Sequence, residues 1–180
     1  MVAKSLPDLA YLVECLKCDQ AAGTLVWKTR PPEHFKTARR WKMHNSYFAG
    51  RKAGYVAGNG YLYVSIDGTM YKNHRLVWKM ARGAEPPETI DHINGNKLDD
   101  RMANLRAATD IENHRNVGKR GHNTSGLKGA FYNRRFGYWF SQIGIDHKTI
   151  YLGSFATAEE AHAAYVEAAR KVHGKFFNPG

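Results

Sequence analysis

Cysteine is nearly absent: Cys15 and Cys18 are the only two in 180 residues. They form a lone Cys-x-x-Cys. A structural zinc would need two more ligands, and His34 and His44 stand at no spacing that completes one. Two small thiols in helical packing in a reducing compartment is the simpler expectation. Long apolar runs are missing as well. No stretch approaches the roughly 18 continuous apolar residues of a membrane span, and no basic-then-apolar leader opens the chain, so a cytosolic protein without a membrane partner is expected. Acidic residues are in short supply, 16 against 27 Lys and Arg, which leaves a formal charge of +11 and suits a polyanionic partner. The excess is uneven. Basic residues outnumber acidic ones 11 to 5 over residues 1 to 73 and 9 to 4 over 118 to 180, but stand at 7 to 7 over 74 to 117. A neutral middle between basic flanks is expected when the ends hold nucleic acid and the middle acts on it. This length holds one ordinary domain or two to three small ones.

From the start, Leu9, Leu12, Val13 and Leu16 have helical spacing, which predicts a helix over Leu6 to Lys17 with Ser5 as its cap and Pro7 near its start. Thr24 to Trp27 predicts a strand. Between Lys28 and Lys52, basic residues (among them Arg30, Arg39 and Arg40) interleave with Phe35, Trp41, Tyr47 and Phe48, a mixture suited to phosphates and stacked bases. Tyr61 to Ile66, Asp67-Gly68 and Met70 to Lys72 predict strand, tight turn and strand. His74 to Arg82 predicts a helix ending at Gly83, with Leu76, Val77 and Met80 inward and Arg75, Lys79 and Arg82 facing solvent or phosphate.

The stretch Asp91 to Asn113 carries the chemistry. Thr89 to Ile93 predicts a strand, Asn94-Gly95-Asn96 a turn, Leu105 to Ala108 a second strand, and Thr109 with Glu112 a capping box that opens a helix. Asp91-His92, Asn104 and Asn113 together resemble the signature of the HNH endonucleases, and His74-Arg75-Leu76-Val77 and Asn104-Leu105-Arg106 are similar to their phage and mobile-element branch. The resemblance implies a ββα-metal core in which Asp91 and Asn113 ligate the metal, His92 is the general base and Asn104 braces the loop. Hard oxygen ligands suit Mg²⁺ or Mn²⁺. An imidazole with an ordinary pKa of about 6.5 can take a proton from water near neutral pH. If His114 were the ligand instead of Asn113, Zn²⁺ or Ni²⁺ would be favoured.

Val117 to Ser125 is polar, basic and Gly-rich, which predicts a linker. Beyond it, Ser125-Gly126-Leu127-Lys128-Gly129, Tyr138-Trp139, Leu152-Gly153-Ser154-Phe155 and Thr157 to Ala161 resemble the AP2 DNA-binding domain. Periodicity predicts three short strands (Leu127 to Tyr132, Tyr138 to Ile145, Thr149 to Leu152). A helix capped by Thr157 and Glu160 follows and stops at Gly174. Strand alternation puts Trp139, Ile143 and Ile145 on the helix side and leaves Tyr138, Phe140 and Gln142 to enter a groove. Lys128, Asn133, Arg134, Arg135, Tyr138, Gln142 and Tyr151 are the expected DNA contacts there, with Arg39, Arg40 and Arg75 elsewhere. Phe131 stands where a base-reading arginine is usual in the plant-type pattern.

The expected architecture is α+β: a basic N-terminal extension (1–54), an HNH nuclease domain (55–117), a linker (118–124) and an AP2-like domain of three antiparallel strands plus a helix (125–180). The expected function is a metal-dependent endonuclease on double-stranded DNA, nicking and homing-type, without an obligate protein partner and phage- or mobile-element-encoded in a bacterial host. The competing readings are a transcriptional regulator with a non-catalytic HNH scaffold and an RNA-directed nuclease.

Overall fold

A computed structural model describes residues 5–116, 123–145 and 148–179, which form two compact units, Met1–Thr109 and Asp110–Gly180. Small antiparallel sheets and short helices alternate through both, an α+β arrangement.

In the first unit, α1 (Leu9–Cys15) runs straight into β1 (Leu16–Asp19), which pairs with β2 (Thr24–Trp27) from Leu16↔Trp27 to Asp19↔Thr24. Helical periodicity over Leu6 to Lys17 overshoots both ends. Asp8 rather than Ser5 precedes the first helical residue, and Leu16 and Cys18 sit in a strand. The chain extends at Leu16 because the hairpin can bury Leu16 beside Leu25 and Trp27. The two cysteines therefore stand on different elements.

The basic-aromatic segment contains a helix that its sequence does not announce, α2 (Ala38–Phe48), capped by Thr37 accepting from the Arg40 N–H. Arg30, expected among the DNA-facing cations, is 2% exposed. Its guanidinium binds Asp67 at 2.9 Å, the Tyr11 hydroxyl at 2.6 Å and His34 Nδ1 at 3.2 Å, tying this segment to the next hairpin.

That hairpin belongs to a three-stranded sheet of β3 (Tyr55–Val56), β4 (Leu62–Ile66) and β5 (Thr69–Lys72), in that order. Asp67 and Gly68 both take positive φ, 51° and 78°, as a two-residue turn demands. Helix α3 (Asn73–Arg82) follows directly and ends at Gly83 in the left-handed region. Leu76 and Val77 enter one core with Leu12, Leu16, Leu25, Trp27, Val64 and Ile66. The N-terminal extension thus shares the core of the segment after it. Lys79 departs from expectation: it is buried and paired with Glu85 because its position on α3 lies over the core edge. The unit closes with β6 (Thr89–His92) and β7 (Leu105–Ala108), paired from Thr89↔Ala108 to His92↔Leu105.

The second unit opens with α4 (Asp110–Arg115). Strands β8 (Ala130–Asn133), β9 (Tyr138–Ile145) and β10 (Lys148–Phe155) form a meander with β9 central. Helix α5 (Ala158–His173) starts with the complete Thr157/Glu160 capping box and is followed by Gly174. Its Ala161, Tyr165 and Ala169 are buried, and Tyr165 packs with Ile143. Gly129 is obligatory here: with φ at 78°, a Cβ would lie 2.1 Å from Tyr165 Cγ. Most of the expected linker, residues 117–122, lies outside the described residues.

Candidate active site

Strand β6 buries three residues in a row, Ile90, Asp91 and His92, so it is covered on both faces. Alternation sends Asp91 and His92 to opposite sides. Asp91 lies across from Arg106 on β7, whose Nε and Nη2 reach its Oδ2 at 2.7 and 2.6 Å. His92 turns to the loop between the strands, where its Nε2 meets Asp100 Oδ1 at 2.8 Å.

Asp100 is held from several directions. Its side chain is 1% exposed, and Asn73, the first residue of α3, donates from Nδ2 to its Oδ2 at 2.7 Å. The same amide donates to the Gly23 carbonyl at 3.1 Å, and the Met102 N–H donates to the Gln20 carbonyl. The β1–β2 turn is therefore docked under the Asp100 loop. His74 Nδ1 stands 3.9 Å from Asp100 Oδ1, and the His74 and His92 rings meet edge-on at 5.1 Å.

Asn104 organises the same loop. Its Oδ1 accepts from the Asn94 N–H, its Nδ2 donates to Asn94 Oδ1 and the Asp99 carbonyl, and its own carbonyl accepts from the Ile93 N–H. Asp99 closes the loop on the outside with two 2.6 Å bonds from Arg101, which hold its carboxyl down at about 2.

Two consequences follow for proton chemistry. A carboxylate on Nε2 accepts a hydrogen bond, so the neutral His92 ring carries its proton there and Nδ1 becomes the basic nitrogen. His74 is driven down to about 3, first by burial and then by His92, Lys72 and Arg75, so it is neutral at any working pH. Tyr61 borders both imidazoles at 5.5 and 6.1 Å and carries Lys72 Nζ at 4.5 Å and Lys97 Nζ at 4.8 Å from its ring.

Several nominated residues lie elsewhere. Asn113 and His114 are on α4, in the second unit, and His114 Nδ1 bonds the Asp110 carbonyl of its own helix at 2.6 Å. Arg75 directs Nη1 to the carbonyls of Pro87 and Glu88. Arg39 and Arg40 are exposed on α2. In the second unit, Lys128 donates to the Asn178 carbonyl, while Arg134, Arg135 and Tyr151 are exposed. Asn133 accepts the N–H groups of Arg135 and Phe136 and reaches Tyr138, and Gln142 is half-buried in β9.

Sequence reasoning missed Asp100, Asn73 and Tyr61. The Asp99-Asp100 pair was a visible signal, but only the fold shows that one of the two turns inward.

This segment is an HNH endonuclease domain: the family model of that description matches residues 71–115. Over 106 residues the chain is 35% identical to Protein 3.8 of Escherichia phage T7, a match covering 58% of this chain and 87% of that protein. The chain belongs to the same family as Protein 3.8. No solved structure matches it.

HNH domains depend on a metal, and the side chains present suit one. Asp91 offers a buried hard oxygen, shared with Arg106. His74, His92 and Asp100 also bring two imidazole nitrogens and a carboxylate oxygen within 4.8 Å of one another. That mixed set would suit Zn²⁺ or Ni²⁺ better than Mg²⁺.

Proposed function

We propose that this protein is a metal-dependent DNA endonuclease in which His92 is the general base and Asp100 orients it. The observation that carries this reading is the buried 2.8 Å His92–Asp100 bond, one residue from Asp91 and inside the HNH segment. His92 takes a proton from the attacking water, and Asp100 holds the ring and offsets the charge it gains. Asn104 keeps the loop that carries Asp100 in place. Lys72 and Lys97 offer cations to backbone phosphates. Asp91 and Asn113 are the candidate ligands of a Mg²⁺ or Mn²⁺ ion, which when bound would supply charge neutralisation at the scissile phosphate and the leaving 3′ oxygen. The products are 5′-phosphate and 3′-hydroxyl ends, and one such centre cuts one strand.

The three strands and helix of the second unit are the order expected of an AP2-like module, and this supports its use in DNA targeting. The finer role is a phage-encoded, homing-type nickase working in the host cytoplasm. In support of the phage origin, the relative is a phage protein.

The Arg106–Asp91 pair favours a second reading, a DNA-binding regulator with a non-catalytic HNH scaffold, because the cation partly satisfies the carboxylate that a metal would use. Supercoiled plasmid separates the two. Wild type should produce open circles with Mg²⁺ or Mn²⁺ but not with chelator, and His92→Ala should produce none. If wild type leaves plasmids intact, including one carrying its native genomic neighbourhood, the regulator reading stands.

A further inference from the structure

The sheet of the second unit has α5 against one face and solvent on the other. Register sets Phe131 opposite Phe140 and Tyr151 opposite Gln142, so each strand contributes a ring to the solvent side. The Phe131 and Phe140 centroids lie 5.4 Å apart and those of Phe140 and Tyr151 6.3 Å, each pair within 27° of parallel. Phe136 stacks on Tyr138 at 6.3 Å and extends the row. Phe131 is 41% exposed, Phe136 66% and Tyr151 56%. An open aromatic row of this kind does nothing for the core, and its exposed rings are unfavourable in water unless something covers them.

Charge indicates what covers it. Among the described residues beyond α4, the acidic ones are Glu159, Glu160 and Glu167, all on α5, on the sheet's other side. Among the described residues the open face has none. Arg134 and Arg135 border it in the β8–β9 turn. Of the polar groups between the rings, Asn133 is engaged by its turn and by Tyr138, and the Tyr151 hydroxyl by Ser154.

Reading a duplex through its grooves takes donors and acceptors aimed at base edges, because the base faces are already stacked. A row of rings bordered by cations fits unpaired bases instead. We propose that this face binds single-stranded DNA, with successive bases stacked on Phe131, Phe140 and Tyr151 and the phosphates met by Arg134 and Arg135. The proposal rests on the second unit being the DNA-binding part and changes the form of DNA it takes. It is independent of catalysis at His92.

The test is fluorescence anisotropy of the full chain in chelator, with labelled oligo(dT) of about 12 nucleotides, the matching duplex and the matching oligo(rU). Phe131→Leu and Tyr151→Leu keep apolar area and remove a ring. Each should weaken oligo(dT) binding at least about fivefold and leave duplex affinity within about twofold, while Tyr151→Phe binds like wild type. Equal losses on strand and duplex, or no loss on the strand, would overturn the proposal. Tighter binding of oligo(rU) would overturn the assignment to DNA. A second measurement needs no variant: photo-cross-linking a 5-iododeoxyuridine strand should label Phe131, Phe140 or Tyr151, and labels confined to other parts of the chain would refute it. Plasmid nicking by the leucine variants, scored separately, keeps failure here distinct from failure of the nuclease reading.

Discussion

Asp100 lies eight residues beyond His92, yet their side chains meet at 2.8 Å in a site where both are almost wholly buried. A carboxylate there fixes which nitrogen of the ring is basic. Asp100→Asn keeps the size of the side chain but presents an amide that can donate as well as accept, and so loosens the tautomer. Plasmid nicking should fall by roughly 10²- to 10⁴-fold, with DNA affinity in chelator unchanged. A variant that nicks at the wild-type rate would remove Asp100 from the mechanism.

His74 makes the site sensitive to acid. Its folded pKa, about 3, lies below the ordinary 6.5, so the unfolded chain binds the proton that the folded chain refuses. The stability this contributes is complete above about 6.5 and is lost as pH falls toward 3. Between pH 7 and pH 4.5 the loss should reach about 2 kcal/mol, since each unit of difference corresponds to about 1.4 kcal/mol. Melting curves in chelator should therefore fall less steeply with acid in His74→Gln than in wild type. Parallel curves would show that another group carries the acid sensitivity.

Gly23 supports the site from a distance. Its φ is 68°, and a Cβ would lie 2.3 Å from both the Asp100 carbonyl carbon and the Arg101 nitrogen. Gly137 has a similar φ of 71° but open space around it. Gly137→Ala should thus cost only the backbone strain, about 1 kcal/mol, whereas Gly23→Ala should cost more than roughly 2 kcal/mol and slow nicking as the Asp100 loop shifts. Urea unfolding of both variants beside the plasmid assay tests this, and equal costs would mean that the Asp100 loop gives way freely.

The sequence made local features legible. The Asp67-Gly68 turn, the stop of α3 at Gly83, the β7 limits and the Thr157/Glu160 box each follow from residues within a few positions of one another. Features set by distant partners were not legible. Leu16 continues the apolar spacing of α1 and becomes strand only because β2 is there to pair with it. Arg30 and Lys79 resemble surface cations until Asp67 and Glu85 are brought to them. At the site, Asp91, His92 and Asn104 could be named from their spacing, but Asn73 and Gly23 converge on Asp100 from 27 and 77 positions away, and no periodicity encodes that.

Arg106 is where the two functional readings differ in a measurable way. It is partly buried against Asp91, whose side chain is 3% exposed, so Arg106→Gln strips charge from a carboxylate that water barely reaches. Breaking such a pair costs about 3 kcal/mol or more. If Asp91 is a metal ligand, the deprived carboxylate should bind a divalent cation more strongly. Mg²⁺ or Mn²⁺ should then restore much of the lost melting temperature and raise that of the variant more than that of wild type. If Asp91 only anchors β6 to β7, the variant melts early by the same amount with metal or with chelator. Asp91→Asn in the Arg106→Gln background removes the charge itself. It should abolish the metal response under the nuclease reading, and among the described residues the group placed to give a response that survives is His74, His92 and Asp100.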